Sequence, residues 1–173
     1  ALDLGVTLLD TARSYGASEE RIGRALRGRS GQAVISTKVG YGVAGTPDWT
    51  AEAVKRGVDE ALGKLGVDVI DIVHLHSCPA DVLARGEVSG ALASLRAAGK
   101  IRVAAYSGDD EPLARAVESG AFGSIEMSVS PWDQGGIDRV LWKAKERGMG
   151  AIAKRPLANV WWTHERRPER PDI

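Results

Sequence analysis

The feature that most constrains this chain is a recurring glycine. Gly5, Gly66, Gly99, Gly120 and Gly148 each stand just before a short β-branched or apolar run. A glycine there is what closes a helix, because it enters the left-handed region without a Cβ clash. The runs that follow, Val6–Asp10, Val67–His76, Ile101–Tyr106, Ser124–Val129 and Gly150–Lys154, read as strands. Ala33–Lys38, entered through Gly28-Arg-Ser-Gly31, makes a sixth. Amphipathic stripes lie between them: Val54, Val58, Leu62 and Leu65; then Val88, Leu92 and Leu95; then Leu113, Ala116 and Val117; then Val140, Leu141 and Ala144. Pro112, behind Asp109-Asp110, suits the first turn of the third of these helices. Strand and helix alternate every ~20–35 residues, the rhythm of right-handed βαβ units around a parallel sheet.

The runs are mostly apolar throughout, so both faces of the sheet are expected to be covered. A doubly wound sheet and an eight-fold barrel both meet that demand. No Gly-x-Gly-x-x-Gly follows the first strand, which counts against the dinucleotide-binding doubly wound form. Polar residues at successive strand ends favour a barrel. The expected class is therefore α/β, an incomplete (β/α)8 TIM barrel with about six parallel strands, since a whole barrel takes about 250 residues and this chain has 173. Residues 1–162 form that partial barrel. Thr163–Ile173 has no apolar period and reads as an irregular polar tail.

Composition narrows the partners. The chain has 23 basic and 23 acidic residues, a formal net charge of zero, and no long basic run, which argues against nucleic acid and anionic membranes. The single cysteine, Cys78, excludes an internal disulfide and suits a reducing compartment. No leader and no bilayer-length apolar run is evident, so the expectation is a soluble cytoplasmic protein. The chain opens on Ala1, and its only methionines are Met127 and Met149, so either its start was processed or it is a piece of something longer.

The chemistry gathers around Asp10-Thr-Ala-Arg-Ser-Tyr15-Gly16, followed by Ser18-Glu-Glu-Arg-Ile22. Ser18 is expected to cap a helix that carries Ile22, Ala25 and Leu26 on one face. An acid and a tyrosine then share one strand-to-helix loop, where barrels of parallel strands build their sites. Lys38 and His76 end the next two strands; His74 shares a face with His76 and is expected to be an interior hydrogen-bonding group. Singly, each residue has an ordinary role as turn former, cap or rim group. Together they suit carbonyl reduction. A tyrosine holds its proton until pH ~10, a lysine beside it favours the phenolate, an aspartate holds the lysine, and a histidine orients the carbonyl oxygen.

Gly5-Val-Thr-Leu-Leu-Asp-Thr-Ala-Arg-Ser-Tyr-Gly with Ser-Glu-Glu-Arg-Ile-Gly resembles the second strand and loop of the aldo-keto reductases. Ile35-Ser-Thr-Lys38, Asp71-Ile-Val-His-Leu-His76, Gly99-Lys-Ile-Arg with Tyr106-Ser107, and Ala151-Ile-Ala-Lys-Arg-Pro-Leu-Ala158 resemble later blocks of that family in order. The resemblance implies a (β/α)8 barrel that reduces aldehydes or ketones with NADPH through Asp10, Tyr15, Lys38 and His76. It also implies cofactor contacts at Ser107, Glu126, Lys154, Arg155, Pro156 and Leu157, and no metal. It places the family's first strand, eighth strand and 2′-phosphate grip outside this chain, from which weak NADPH binding is expected.

Four positions depart from that family. Ser77-Cys78 follows His76 where an aromatic is common, and Gly108 replaces an asparagine. Glu126 replaces a glutamine, as an acceptor still suited to an amide. Lys154 replaces an aromatic that stacks on the nicotinamide and, with Arg155, suits a diphosphate. The leading expectation is an NADPH-dependent oxidoreductase; the alternatives are a non-catalytic nucleotide- or protein-binding member and a lyase using Lys38 as Schiff base. Tyr41, Trp49 and Trp132 are candidate walls of the carbonyl-substrate pocket. Self-association through exposed sheet edges is also expected.

Overall fold

The structure is a computed structural model and describes residues 1–160; the boundary at 162 and the tail beyond it lie outside the described residues. Six strands, β1 (Leu8–Asp10), β2 (Val34–Val39), β3 (Ile70–His76), β4 (Ile101–Ser107), β5 (Ser124–Ser128) and β6 (Gly150–Lys154), pair in chain order, all parallel. The helices are α1 (Ser18–Ala25), α2 (Ala51–Leu65), α3 (Ala80–Ala84), α4 (Glu87–Ala97), α5 (Asp110–Ser119) and α6 (Trp142–Glu146). A π-helical turn, Ile137–Leu141, leads into α6. Sheet and helices make a curled half-barrel, matching the incomplete (β/α)8 fold expected.

All five punctuating glycines have positive φ. Gly66 shows why: at φ 67° its N–H closes α2 on the carbonyl of Leu62, and the N–H of Val67 returns to the same carbonyl. Val67 thus belongs to the helix end, and β3 begins at Ile70 and not at Val67. Val6 is likewise taken by the amino-terminal turn, its N–H bonded to the carbonyl of Ala1, so β1 starts at Leu8. Gly86, at φ 72°, divides α3 from α4.

The core lies between the outer face of the sheet and the helices. Val54, Val58 and Leu65 of α2, Val88, Leu92 and Leu95 of α4, Leu113, Ala116 and Val117 of α5, and Val140 with Ala144 are buried in one cluster with Ile35, Val39, Val73, Leu75, Ile125 and Met127. Truncating a fully buried leucine such as Leu92 to alanine costs about 2–5 kcal/mol. The strands alternate more than the apolar reading allows. Ile125 and Met127 face the helices, while Ser124, Glu126 and Ser128 share the concave side, and all five are buried. Period-two alternation likewise sets Asp10, Ser36, Lys38, His74, His76, Ser107 and Lys154 on the concave face. A polar interior results.

Candidate active site

The loop after β1 is fastened along β2: the N–H of Thr11 donates to the carbonyl of Ser36 at 2.8 Å, and that of Arg13 to Lys38 at 3.4 Å. The Arg13 guanidinium grips the carbonyl of Gly42 through two nitrogens, at 3.1 and 2.9 Å, and pairs with Glu60. Ala17, not Ser18, is the N-cap of α1; Ser18 lies in the first turn, where its Oγ accepts from Thr11 Oγ1 at 2.7 Å. Ala25 is exposed and not on the packed face. The helix docks through Glu19, Ile22, Gly23 and Leu26 instead, one turn apart. Glu19 is 1% exposed and accepts from Thr37 Oγ1 at 2.7 Å. A Cβ on Gly23 would fall 2.4 Å from the carbonyl oxygen of Lys64, which is why the two helices approach so closely there.

Lys38 is the centre of the site and is 1% exposed. Its Nζ lies 2.5 Å from Asp10 Oδ2, donates to the carbonyl of Thr11 at 3.0 Å, and lies 3.2 Å from Glu126 Oε2. The Tyr15 ring centroid is 5.4 Å from that ammonium. Tyr15, half exposed, meets His76 edge to face, with centroids 5.9 Å apart. Four residues from three strands and one loop thus converge at the carboxyl ends of β1, β2 and β3.

A second layer orients them. Ser36 donates to Asp10 Oδ1 at 2.7 Å, so its oxygen is free to accept from His74 Nε2 at 3.1 Å. His74 is fully buried, as an interior hydrogen-bonding group should be; burial, reinforced by Lys38, pushes it down to about 4, and it stays neutral. Burial and then the Lys38 and Lys154 charges also push His76 down to about 4. Its Nδ1 lies 2.9 Å from the Tyr41 hydroxyl and 3.5 Å from Ser14 Oγ. Trp49 packs on Tyr41, so two of the three candidate walls stand beside His76; Trp132 is 48% exposed in the loop after β5.

The residues expected at the cofactor divide into two groups. Ser107 and Glu126 are buried at adjacent strand ends. Glu126 turns its carboxylate to Lys38 and His74; its Oε2 sits within ion-pair distance of the ammonium, yet no donor meets it in hydrogen-bonding geometry. Burial raises its carboxyl, against the pull of Lys38. Gly108 has a packing reason: a Cβ there would fall 2.6 Å from the Tyr106 hydroxyl, which donates to the carbonyl of Cys78. Lys154 and Arg155 are not free cations. Their side chains lie 3.0 and 3.5 Å from Asp109 Oδ2, and Arg155 donates to Ser128 Oγ at 3.0 Å. Burial opposes the charge on Asp109, but the Ser128 N–H and Lys154 prevail and hold its carboxyl below the usual range. This cluster borders a cleft of about 340 Å³. Pro156 and Leu157 are exposed beyond β6.

Asp10, His74 and Glu126 bring ligand atoms within 4.8 Å of one another, a spacing that suits a cation. The Lys38 ammonium already lies between the two carboxylates. A larger cleft of about 610 Å³ lies between the carboxyl ends of α1 and α2, at the opposite end of the strands from Lys38.

The sequence profile of the Aldo/keto reductase family matches residues 1–172. The chain belongs to that family. Among relatives of known name, it is 29% identical to the L-galactose dehydrogenase of Arabidopsis thaliana, with 98% of this chain and 56% of that protein aligned. Among solved structures it is similar to an aldo-keto reductase of Bacillus halodurans in its holo form, at TM-score 0.84 and 27% identity, covering 97% of this chain and 58% of that one. An aldo-keto reductase from Klebsiella pneumoniae in complex with NADPH aligns at TM-score 0.76 and 26% identity, covering 92% and 56%. The chain spans little more than half the length of these relatives. The convergence of Asp10, Tyr15, Lys38 and His76 was legible from motif order. The Glu126–Lys38 pair, the Tyr41–His76 bond and the tie of Lys154 and Arg155 to Asp109 were not. Strict alternation in Ser124-Ile-Glu-Met-Ser128 was the signal that would have turned Glu126 inward.

Proposed function

We propose that this chain carries the reaction centre of an NADPH-dependent oxidoreductase that reduces an aldehyde or ketone to an alcohol, in the cytoplasm. The observation that carries this reading is Lys38, buried, bonded to Asp10 and facing the Tyr15 ring. Tyr15 is the proton donor to the carbonyl oxygen, and Lys38, held by Asp10, supplies the positive charge that favours loss of that proton. His76 orients the oxygen by hydrogen bonding. A nicotinamide nucleotide, when bound, supplies the hydride. The residues present fit its amide end: Glu126 Oε2 is a buried acceptor lacking an aligned donor, and Ser107 lies beside it across β4 and β5. Lys154, Arg155, Pro156 and Leu157 would hold the diphosphate, with Asp109 offsetting part of the positive charge.

The test is NADPH consumption with a panel of small aldehydes and ketones, by the protein extended to the length of its relatives. Tyr15→Phe is expected to lower turnover by about 10²–10⁴-fold, the usual contribution of a positioned acid. Near-normal reduction by that variant would defeat the assignment.

A second reading, a non-catalytic member that binds a nucleotide or a protein, is favoured by Lys154 and Arg155 being spent on Asp109. Its signature is cofactor binding without turnover by the protein extended to the length of its relatives. A Schiff-base lyase fits less well, because the Lys38 ammonium is surrounded by three acceptors, the arrangement of a held cation and not of an amine nucleophile.

A further inference from the structure

The neutral ring of His76 has two tautomers, and only one presents a proton at Nε2. Its Nδ1 lies 2.9 Å from the Tyr41 hydroxyl, and the two rings lie nearly parallel, 24° apart. Tyr41 is fixed from its other side. Trp49 packs on it at 5.6 Å, and the backbone N–H of Trp49 donates to the carbonyl of Gly40 at 2.7 Å. Gly40, at φ 132°, leaves room for the indole: a Cβ there would fall 2.2 Å from the Trp49 ring. Ser14 Oγ is the other polar group on this nitrogen, at 3.5 Å, and is 3.4 Å from the Tyr41 hydroxyl.

The short contact can run in either of two directions. A phenol O–H is a more acidic donor than an imidazole N–H, and an imidazole nitrogen is a more basic acceptor than a phenol oxygen. The stronger pairing therefore sends the Tyr41 proton to Nδ1. The reverse direction would leave that proton a 3.4 Å contact to Ser14, longer than a good O–H···O bond.

We propose that Tyr41 is a positioning residue: its hydroxyl donates to His76 Nδ1 and thereby sets Nε2–H toward the carbonyl site. Its place in the reaction rests on the carbonyl-reduction reading, whereas the tautomer is a property of the free chain. The experiment is ¹⁵N NMR of the histidine-labelled 173-residue chain at neutral pH, for the unaltered protein and for Tyr41→Phe. The expected result is a protonated Nε2 and a bare, hydrogen-bonded Nδ1, with the Nδ1 resonance moving to that of an unbonded lone pair in the variant. In carbonyl reduction, Tyr41→Phe is expected to lower kcat about tenfold, the worth of one hydrogen bond, with KM within about twofold. A proton on Nδ1 in the unaltered chain overturns the proposal and needs no variant to fold. An Nδ1 resonance indifferent to Tyr41→Phe, or an unchanged kcat, overturns it as well. The expected tautomer, together with a protein extended to the length of its relatives that reduces no carbonyl, would support the Tyr41 bond and defeat the proposed function instead.

Discussion

Lys38 Nζ lies 3.2 Å from Glu126 Oε2 and 2.5 Å from Asp10 Oδ2, so one buried ammonium has two carboxylates. The Asp10 side chain is 31% exposed and that of Glu126 only 4%. Removing either acid leaves Lys38 one counterion. Asp10→Asn is expected to cost about 1–2 kcal/mol in urea unfolding, because the pair is partly screened and Glu126 remains. The double variant Asp10→Asn with Glu126→Gln strands a buried cation and is expected to cost about 3–5 kcal/mol, more than the two single effects combined. Simple additivity would show that the ammonium is not shared.

Two buried groups beside that ammonium respond to acid in opposite senses. The unfolded chain protonates His74 near 6.5, whereas the native state refuses the proton until about 4. Stability from this group is present above that window and is lost as pH falls through it, by about 3 kcal/mol at ~1.4 kcal/mol per pH unit. Glu126 behaves the other way. Its native carboxyl keeps the proton above the ordinary 4.5, so its contribution is full below that value and is lost as pH rises. His76, half-buried and also lowered to about 4, adds a smaller loss in acid. In urea midpoints taken from pH 7 to pH 4, His74→Gln is expected to flatten the acid decline and Glu126→Gln to steepen it. Identical slopes in all three proteins would contradict both assignments.

What could be read in advance was whatever depends on local spacing. The five closing glycines, the four helical stripes and the order of six strands are short-range patterns, and they hold to within two or three residues at most strand starts. Val6 and Val67 fall outside the strands because turn hydrogen bonds claim them, and Ala25 falls off the packed face because Glu19 and Gly23 decide which face of α1 docks. Asp10, Tyr15, Lys38 and His76 stand at strand ends or on one loop, where motif order is informative. Glu126 against Lys38, Tyr41 against His76 and Asp109 against Lys154 join residues 88, 35 and 45 positions apart. Such pairs depend on how the sheet curls, which no local pattern encodes.

The sheet edges lead to the last prediction. Among the described residues β1 pairs only with β2, and β6 only with β5. Beside the β1 edge, Leu8 and its register partner Val34 are each 41% exposed, Val6 is 50% exposed and Leu4 is 87% exposed. An open row of backbone donors and acceptors flanked by apolar side chains is a template for another strand. The formal net charge of zero provides little repulsion to oppose it. The 173-residue chain is therefore expected to self-associate as its concentration rises, seen as a growing mean mass in light scattering. Leu8→Lys places a charge at that edge, outside the proposed site, and is expected to raise the monomer fraction. A sharp monomer at high concentration would count against the prediction, and so would association that Leu8→Lys leaves unchanged.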